Sequence, residues 1–340
     1  MTAGKATTGM YASVDEMLQA HGISAPEVAL EHDGFSGARI TSLAQDGRRF
    51  VLKRLRLEDD WIMRALRDRQ GREAQFAVSP ILGRMPAAIG APSIAAARDG
   101  AGWALLMRDV SDALLPPDGV LAESDADRVL AAAAEMHAAF WDDPLEDACV
   151  DWTPTDARLT VVGPAMGVTL VREGRDFGLA RGWEVFDRIG DREAVRLAHA
   201  LFEDITPFER VLASFPPTLV HGDLKFANVA LDEDRVWLFD WAGVTLGPAA
   251  LEIAWCAAVN SSRLPWSVDI TFQHYVAHLE RALGPARFDR GEWPKQRAAA
   301  MICGLLWYGW GKALDAEAGR PEELRWWCRG AVDAQRTLGL

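Results

Sequence analysis

The sequence predicts an α+β chain in two parts. A small, β-rich N-terminal lobe with a leading helix spans residues 1–107, and a larger, mainly helical C-terminal lobe spans 108–340. Three observations carry this expectation. A chain of 340 residues, 49% hydrophobic and 25% charged, is globular and longer than one hydrophobic core usually serves. Short β-type runs separated by turn residues cluster in the first third. Beyond residue 124, apolar residues recur mainly at helical spacing.

The elements can be placed in order. Ser13-x-x-Glu16 is a capping box that opens a short helix ending near Gly22. Ala38–Leu43 and Arg48–Leu55 read as two strands joined by the turn Gln45-Asp46-Gly47. Trp103–Met107 is a further apolar strand. Ser124–Trp141 is an alanine-rich amphipathic helix with His137 on its apolar face, packed as a core histidine. Residues 142–182 are punctuated by Pro and Gly and read as a variable insertion. A helix over Arg192–Glu209 follows, then Pro216-Pro217, and another helix starts at Gly247-Pro248 and runs to Ala258. Trp307, Tyr308 and Trp310 lie on one predicted helix, and Trp326 and Trp327 on another.

The chemistry concentrates in His221-Gly222-Asp223-Leu224-Lys225-Phe226-Ala227-Asn228, followed twelve residues after the Asn by Asp240. Apolar runs precede both ends: Leu219-Val220 and Val236-Trp237-Leu238-Phe239. His-Gly-Asp alone is a common turn. The extended string is more selective, because it fixes Asp, Lys, Asn and a strand-terminal Asp at set spacings. An Asp and an Asn five apart, then an Asp closing a strand, suit phosphoryl transfer: one carboxylate faces a hydroxyl, while an amide oxygen and a second carboxylate hold Mg²⁺ on phosphates.

This stretch resembles the catalytic and metal-binding loops of the kinase-fold small-molecule phosphotransferases, the aminoglycoside and choline kinase group. The resemblance implies a two-lobed, protein-kinase-like fold with ATP and Mg²⁺ as cofactors. It implies Asp223 as the residue meeting the acceptor hydroxyl, Lys225 as a charge neutraliser beside it, and Asn228 and Asp240 as metal ligands. Two departures stand out. Lys225 replaces a frequent His, and Gly222 replaces the protein-kinase Arg that often pairs with a phosphorylated loop. A third concerns the helix after Asp240, where Glu252 stands in place of a family Asp that braces the loop, leaving that bracing open.

The same resemblance assigns the nucleotide lobe. Val51-Leu52-Lys53 matches the strand carrying the phosphate-contacting lysine, so Lys53 takes that role with Glu73 as its partner and Glu58 as the fallback. In Asp33-Gly34-Phe35-Ser36-Gly37-Ala38, Ser36 and backbone amides would face phosphates, though a plain turn fits equally well. Met107, Asp109 and Val110 would form the adenine-binding linker through their main chain.

Other classes are excluded. The G-x-x-x-x-G-K-[ST] loop is absent, as is G-x-S-x-G. A pI near 5.0 and no basic tract argue against nucleic-acid binding. No run of about 18 apolar residues suggests a membrane span, and residues 1–8 lack the apolar core of a secretory signal. Four dispersed cysteines fit reduced thiols in a cytoplasmic protein. His274 and His278, four apart, lack a third ligand and read as structural. Residues 31–90 hold 11 Lys and Arg against 8 Asp and Glu, whereas the remainder holds 25 against 41. That asymmetry suits ATP on one lobe and a cationic acceptor on the other. The expected activity is transfer of the ATP γ-phosphate to a hydroxyl of a small molecule, an aminoglycoside-like antibiotic, amino alcohol or sugar. The alternative is a pseudokinase-like protein that binds nucleotide without transfer. Acceptor specificity would come from 142–182 and the helices bearing Trp307, Trp310 and Trp326, either as pocket walls or as core.

Overall fold

The computed structural model describes residues 9–30 and 36–340. The chain divides into two compact units. One comprises 1–115, 145–152 and 227–244; the other comprises 116–144, 153–226 and 245–340.

The first unit is built on a five-stranded antiparallel sheet. In spatial order its strands are Val28–Ala29, Arg39–Gln45, Arg48–Leu55, Gly102–Arg108 and Ser93–Asp99. The hairpin turn is Asp46-Gly47, with φ of 52° and 73°, the left-handed pair that a tight two-residue hairpin requires. Both sheet faces are covered, and strand alternation sorts the residues between them. Phe50 and Leu52 join Val14 and Met17 of the helix Val14–Ala20 in one core cluster. Leu55, Trp103 and Leu105 join Met63, Ala74 and Ala77 in the other. Lys53, in phase with Leu55, therefore lies on the face that meets the helix Arg72–Ala77. The expected capping box forms in part: Ser13 accepts from Glu16 N, while Glu16 accepts from Ala12 N, one residue before the cap, instead of from Ser13 N. A small second sheet orders Ile89–Gly90, Val236–Leu238 and Val229–Leu231.

The second unit is helical apart from Thr218–Val220 paired antiparallel with Thr245–Gly247. Its helices include Glu123–Ala139, Ala249–Val259, Val268–Leu283, Trp293–Glu317 and Glu322–Leu338. One sequence expectation is corrected. The helix predicted over 192–209 is two helices, Arg192–Glu203 and Thr206–Leu212. Asp204 leaves helical geometry and its carboxylate accepts from Thr206 N, and Pro207 sits in the first turn of the second helix, where its missing N–H costs nothing. The Pro/Gly-punctuated stretch 142–182 holds the helices Thr155–Thr160 and Pro164–Arg172 and the start of Leu179–Ile189. No helix among the described residues is long and apolar enough to cross a membrane.

Candidate active site

In the first unit, Lys53 is the hub. Its ammonium lies 2.7 Å from Glu73 Oε2 and 2.7 Å from Asp240 Oδ1. Glu58, by contrast, is exposed and lies 3.9 Å from Arg56. Local structure brings Glu73 to the lysine. Asp68 accepts from the amides of Gln70, Gly71 and Arg72, capping the start of the helix Arg72–Ala77. Gly71 has φ +71°, and a Cβ there would stand 2.3 Å from the Trp103 ring, so only glycine lets the helix approach the sheet this closely. Fully buried Arg72 donates to the carbonyls of Asp151 and Ala242. Phe76 stacks on Trp241 at 4.3 Å. These contacts tie the Glu73 helix to the turn that presents Asp240, itself in left-handed geometry with φ 67°.

The electrostatics follow from crowding. Burial opposes a charged Lys53, but Asp240 and Glu73 together hold its pKa above the ordinary value. Burial pushes the Glu73 carboxyl up to about 7, against the pull of Lys53, with Asp240 and Asp60 adding to the rise. Asp60 is a third carboxylate in this group that the sequence reading missed. Burial raises its pKa first, with Asp240 adding to the rise against Met63 N and Lys53. Its side chain caps the helix Trp61–Ala65, and a capping Asp ahead of Trp-Ile-Met was the available signal. Asn228 is buried, and its main-chain carbonyl accepts from Phe239 N at 3.2 Å, joining the two segments that carry Asn228 and Asp240.

The remaining nucleotide-lobe residues are scattered. Ser36 Oγ accepts from Ala38 N at 3.2 Å, while Asp33, Gly34 and Phe35 of the expected phosphate loop lie outside the described residues. Met107 is paired in the sheet opposite Val51 and Ser93. Asp109 N donates to Arg49 O, and Val110 O accepts from Ala113 N. The turn after that strand is thus closed by main-chain bonds.

The second unit presents Asp223. Trp255 Nε1 donates to its Oδ1 at 2.9 Å, and Lys225 Nζ lies 2.9 Å from its Oδ2. The loop backbone is held from below. Buried Glu252 accepts from the amides of His221 and Gly222, so the longer carboxylate does reach the loop. Burial would raise the Glu252 pKa, but His137 and His221, with the amide of His221, hold it below the ordinary value. Asn260 accepts from Phe226 N at 2.9 Å. Gly222 takes φ 82°, which a side chain would strain. His221 Nδ1 accepts from Asp223 N at 3.2 Å.

Trp255 was not identified in the sequence. It lies three residues after Glu252 on one helix and therefore shares its face, which was the signal. Arg158 was also missed. It is 5% exposed, and its guanidinium lies 4.8 Å from the Trp255 ring and 4.2 Å from the Trp307 ring. Trp307 is fully buried, donating to Arg158 O at 2.8 Å. Trp310 donates to Trp307 O, whereas Trp326 turns to Asp269. His274 and His278 both meet Asp127, and no metal-binding group of three or more His, Cys, Asp or Glu occurs among the described residues.

Comparison with known proteins adds to this picture. The model of the phosphotransferase enzyme family matches residues 32–293. Among solved structures, the choline kinase LicA from Streptococcus pneumoniae is similar at 10% identity. It covers 94% of this chain and 98% of its own, with a TM-score of 0.53. A candidate aminoglycoside phosphotransferase from Ralstonia eutropha is 16% identical over 95% of this chain and 97% of its own, with a TM-score of 0.50. No curated protein matches. At such identities the two structures speak to fold, which is the kinase-like one: β-rich first, then mainly helical.

Proposed function

This chain belongs to the phosphotransferase enzyme family, and from that premise we propose that it transfers the γ-phosphate of ATP, with Mg²⁺, to a hydroxyl of a small molecule. At the coarser level it is a small-molecule kinase. The observation that carries the finer reading is Lys53 bridging Glu73 and Asp240. A buried lysine held charged by two carboxylates is suited to phosphate oxygens, and its partner Asp240 is a carboxylate of the kind that ligates Mg²⁺.

The donor set fits Mg²⁺. This ion usually takes one or two carboxylates and fills its remaining positions with water and phosphate oxygens. Asp240 supplies a charged oxygen, and Asn228 a neutral one. Bound there, Mg²⁺ would offset the negative charge of the phosphates. Lys53 would contact the same phosphates while Glu73 keeps its ammonium in place.

Asp223 performs the proton work. With Oδ1 held by the Trp255 indole, its carboxylate has a fixed orientation. As the bond from phosphorus to the acceptor oxygen forms, the bond to the β-phosphate oxygen breaks, ADP leaves, and the hydroxyl proton passes to Asp223. Lys225 offsets charge on the transferring group. The chain passes from one unit to the other between Phe226 and Ala227, and only four residues separate Asp223 from Asn228. The test is transfer of labelled γ-phosphate over an acceptor panel. Asp223→Asn should abolish most transfer while ATP binding persists; wild-type turnover in that variant would refute the role.

A further inference from the structure

The tryptophan-rich part of the second unit contains a cation, and it is the protein's own. Arg158 lies against the faces of Trp255 and Trp307, and Lys312 lies 5.0 Å from the Tyr308 ring centroid. Lys312 is fully served, contacting Ser261 Oγ and Glu323 Oε2. Arg158 is not. Its guanidinium makes no hydrogen bond or ion pair with any described residue, although the side chain is more than nine-tenths buried. The nearby carboxylates do not pair with it. Asp223 is held by Trp255 and Lys225, and Glu252 accepts from backbone amides through Oε2 while its buried Oε1 has no hydrogen-bond partner.

A guanidinium does not shed its proton inside a protein. Stacking on two indoles offsets part of its desolvation, but the five N–H donors have no acceptor among the described residues, and a largely buried charge without an ion partner is costly. The position is also specific. One indole, Trp255, carries Arg158 on its face and Asp223 on its Nε1. The cation therefore stands within the width of a tryptophan from the carboxylate assigned to the acceptor hydroxyl. Burial lowers the Arg158 pKa, and the charge of Asp223 is the largest influence opposing it.

We propose that the acceptor is a hydroxyl compound bearing an oxyanion, a carboxylate or a phosphate, and that Arg158 receives this group beside Asp223. The planar fork of Arg158 suits two oxygens of one anion. The same arrangement disfavours a cationic acceptor, because the aromatic faces that would hold it already carry Arg158. This inference rests on the phosphotransferase reading above and narrows its acceptor class.

The experiment compares four probes of similar size: glycerate, glycerol phosphate, glycerol and ethanolamine. Binding is read by calorimetry and transfer by labelled γ-phosphate from ATP. The wild-type protein should bind and phosphorylate one or both anionic probes in preference to the other two, and which anion is preferred identifies the source of the oxyanion. Arg158→Met should raise KM for the preferred anion by roughly 10²-fold, the scale of lost charge-assisted hydrogen bonds, leaving kcat and ATP affinity within a few-fold. Arg158→Lys keeps the charge but loses the fork, and should fall between. Should the Met variant unfold by circular dichroism, the Lys variant and the wild-type panel decide. Preference for glycerol or ethanolamine, no binding of either anion, or a fall in kcat at unchanged KM would each overturn the proposal. Failure of the underlying reading looks different. The γ-phosphate would then reach none of the four probes, while an anionic probe would still bind in preference and lose that preference in Arg158→Met.

Discussion

Glu73 in the first unit and Glu252 in the second are both buried, at 3% and 1% exposed, yet their carboxyls move in opposite directions. Glu73 shares one lysine with Asp240 and has Asp60 nearby, so negative charge is crowded there and its pKa rises to about 7. Glu252 has backbone amides and two histidines around it, and its pKa falls below the ordinary value. Burial alone does not decide ionisation; what surrounds the buried group does. The difference matches the work proposed for each region. The first unit crowds competing charges around Lys53, where the proposed function puts phosphates and a metal. The second keeps a glutamate of lowered pKa bonded to the amides of His221 and Gly222.

The strongest way to break this comparison is at the loop itself. Asp223→Asn should lower turnover by roughly 10²-fold or more, the scale of a lost positioned base, with little change in thermal stability. Steady-state kinetics alongside a melting curve checks both; a large loss of stability with preserved turnover would make Asp223 structural.

Next in size is Glu252→Gln, expected to cost about 2 kcal/mol at neutral pH as charge-assisted bonds to two amides are weakened. The sign follows from its lowered pKa. The stabilisation is present above the ordinary glutamate value of 4.5 and is lost as pH falls through the lower folded value. Denaturant titrations across pH should show wild type and variant converging in acid. A constant gap at every pH would mean shape, not charge, holds the loop.

Trp255→Phe sharpens the comparison more gently. The ring stays while the donor to Asp223 Oδ1 is lost, so turnover should fall about ten-fold, a loss on the scale of one hydrogen bond to a charged group. Unchanged turnover would show that Asp223 needs no such orientation.

The smallest effect belongs to Glu73, where the sign reverses. A raised folded pKa means its contribution to stability is present below 4.5 and lost as pH rises through about 7. Glu73→Gln should remove that decline, an effect of about 1 kcal/mol because the raised pKa of Lys53 opposes it. ATP affinity in the wild type should weaken as pH drops below about 7, as Glu73 gains its proton and releases Lys53. Affinity that is flat from pH 6 to 8, about a unit either side of that value, would contradict the assigned pairing.

These two regions were not equally legible in the sequence. The loop from His221 to Asn228 could be read because its chemistry needs residues adjacent in the chain. Lys53 could be read from its strand, and Glu73 from the short helix that follows. Both lie on local elements whose periodicity fixes the side that each residue faces. Asp60, Arg158 and Trp255 were missed for the opposite reason. An N-cap, a stacked arginine and an indole donor acquire meaning only through partners brought near by folding. The break at Asp204 was obscured by continuous apolar spacing across it, which hid the local turn around Asp204 and Pro207. Glu252 shows that an expected weakness can vanish when one more methylene still reaches the same amides.

The central claim is that the first unit holds nucleotide and metal while Asp223 in the second performs the proton transfer. Calorimetry of Asp240→Ala and Asp223→Asn, each titrated with ATP in the presence and absence of Mg²⁺, tests it most directly. The account predicts that Asp240→Ala loses the Mg²⁺-dependent part of ATP affinity, while Asp223→Asn binds ATP as the wild type does in both conditions. Equal losses with and without Mg²⁺ in Asp240→Ala, or a metal-dependent loss in Asp223→Asn, would contradict it.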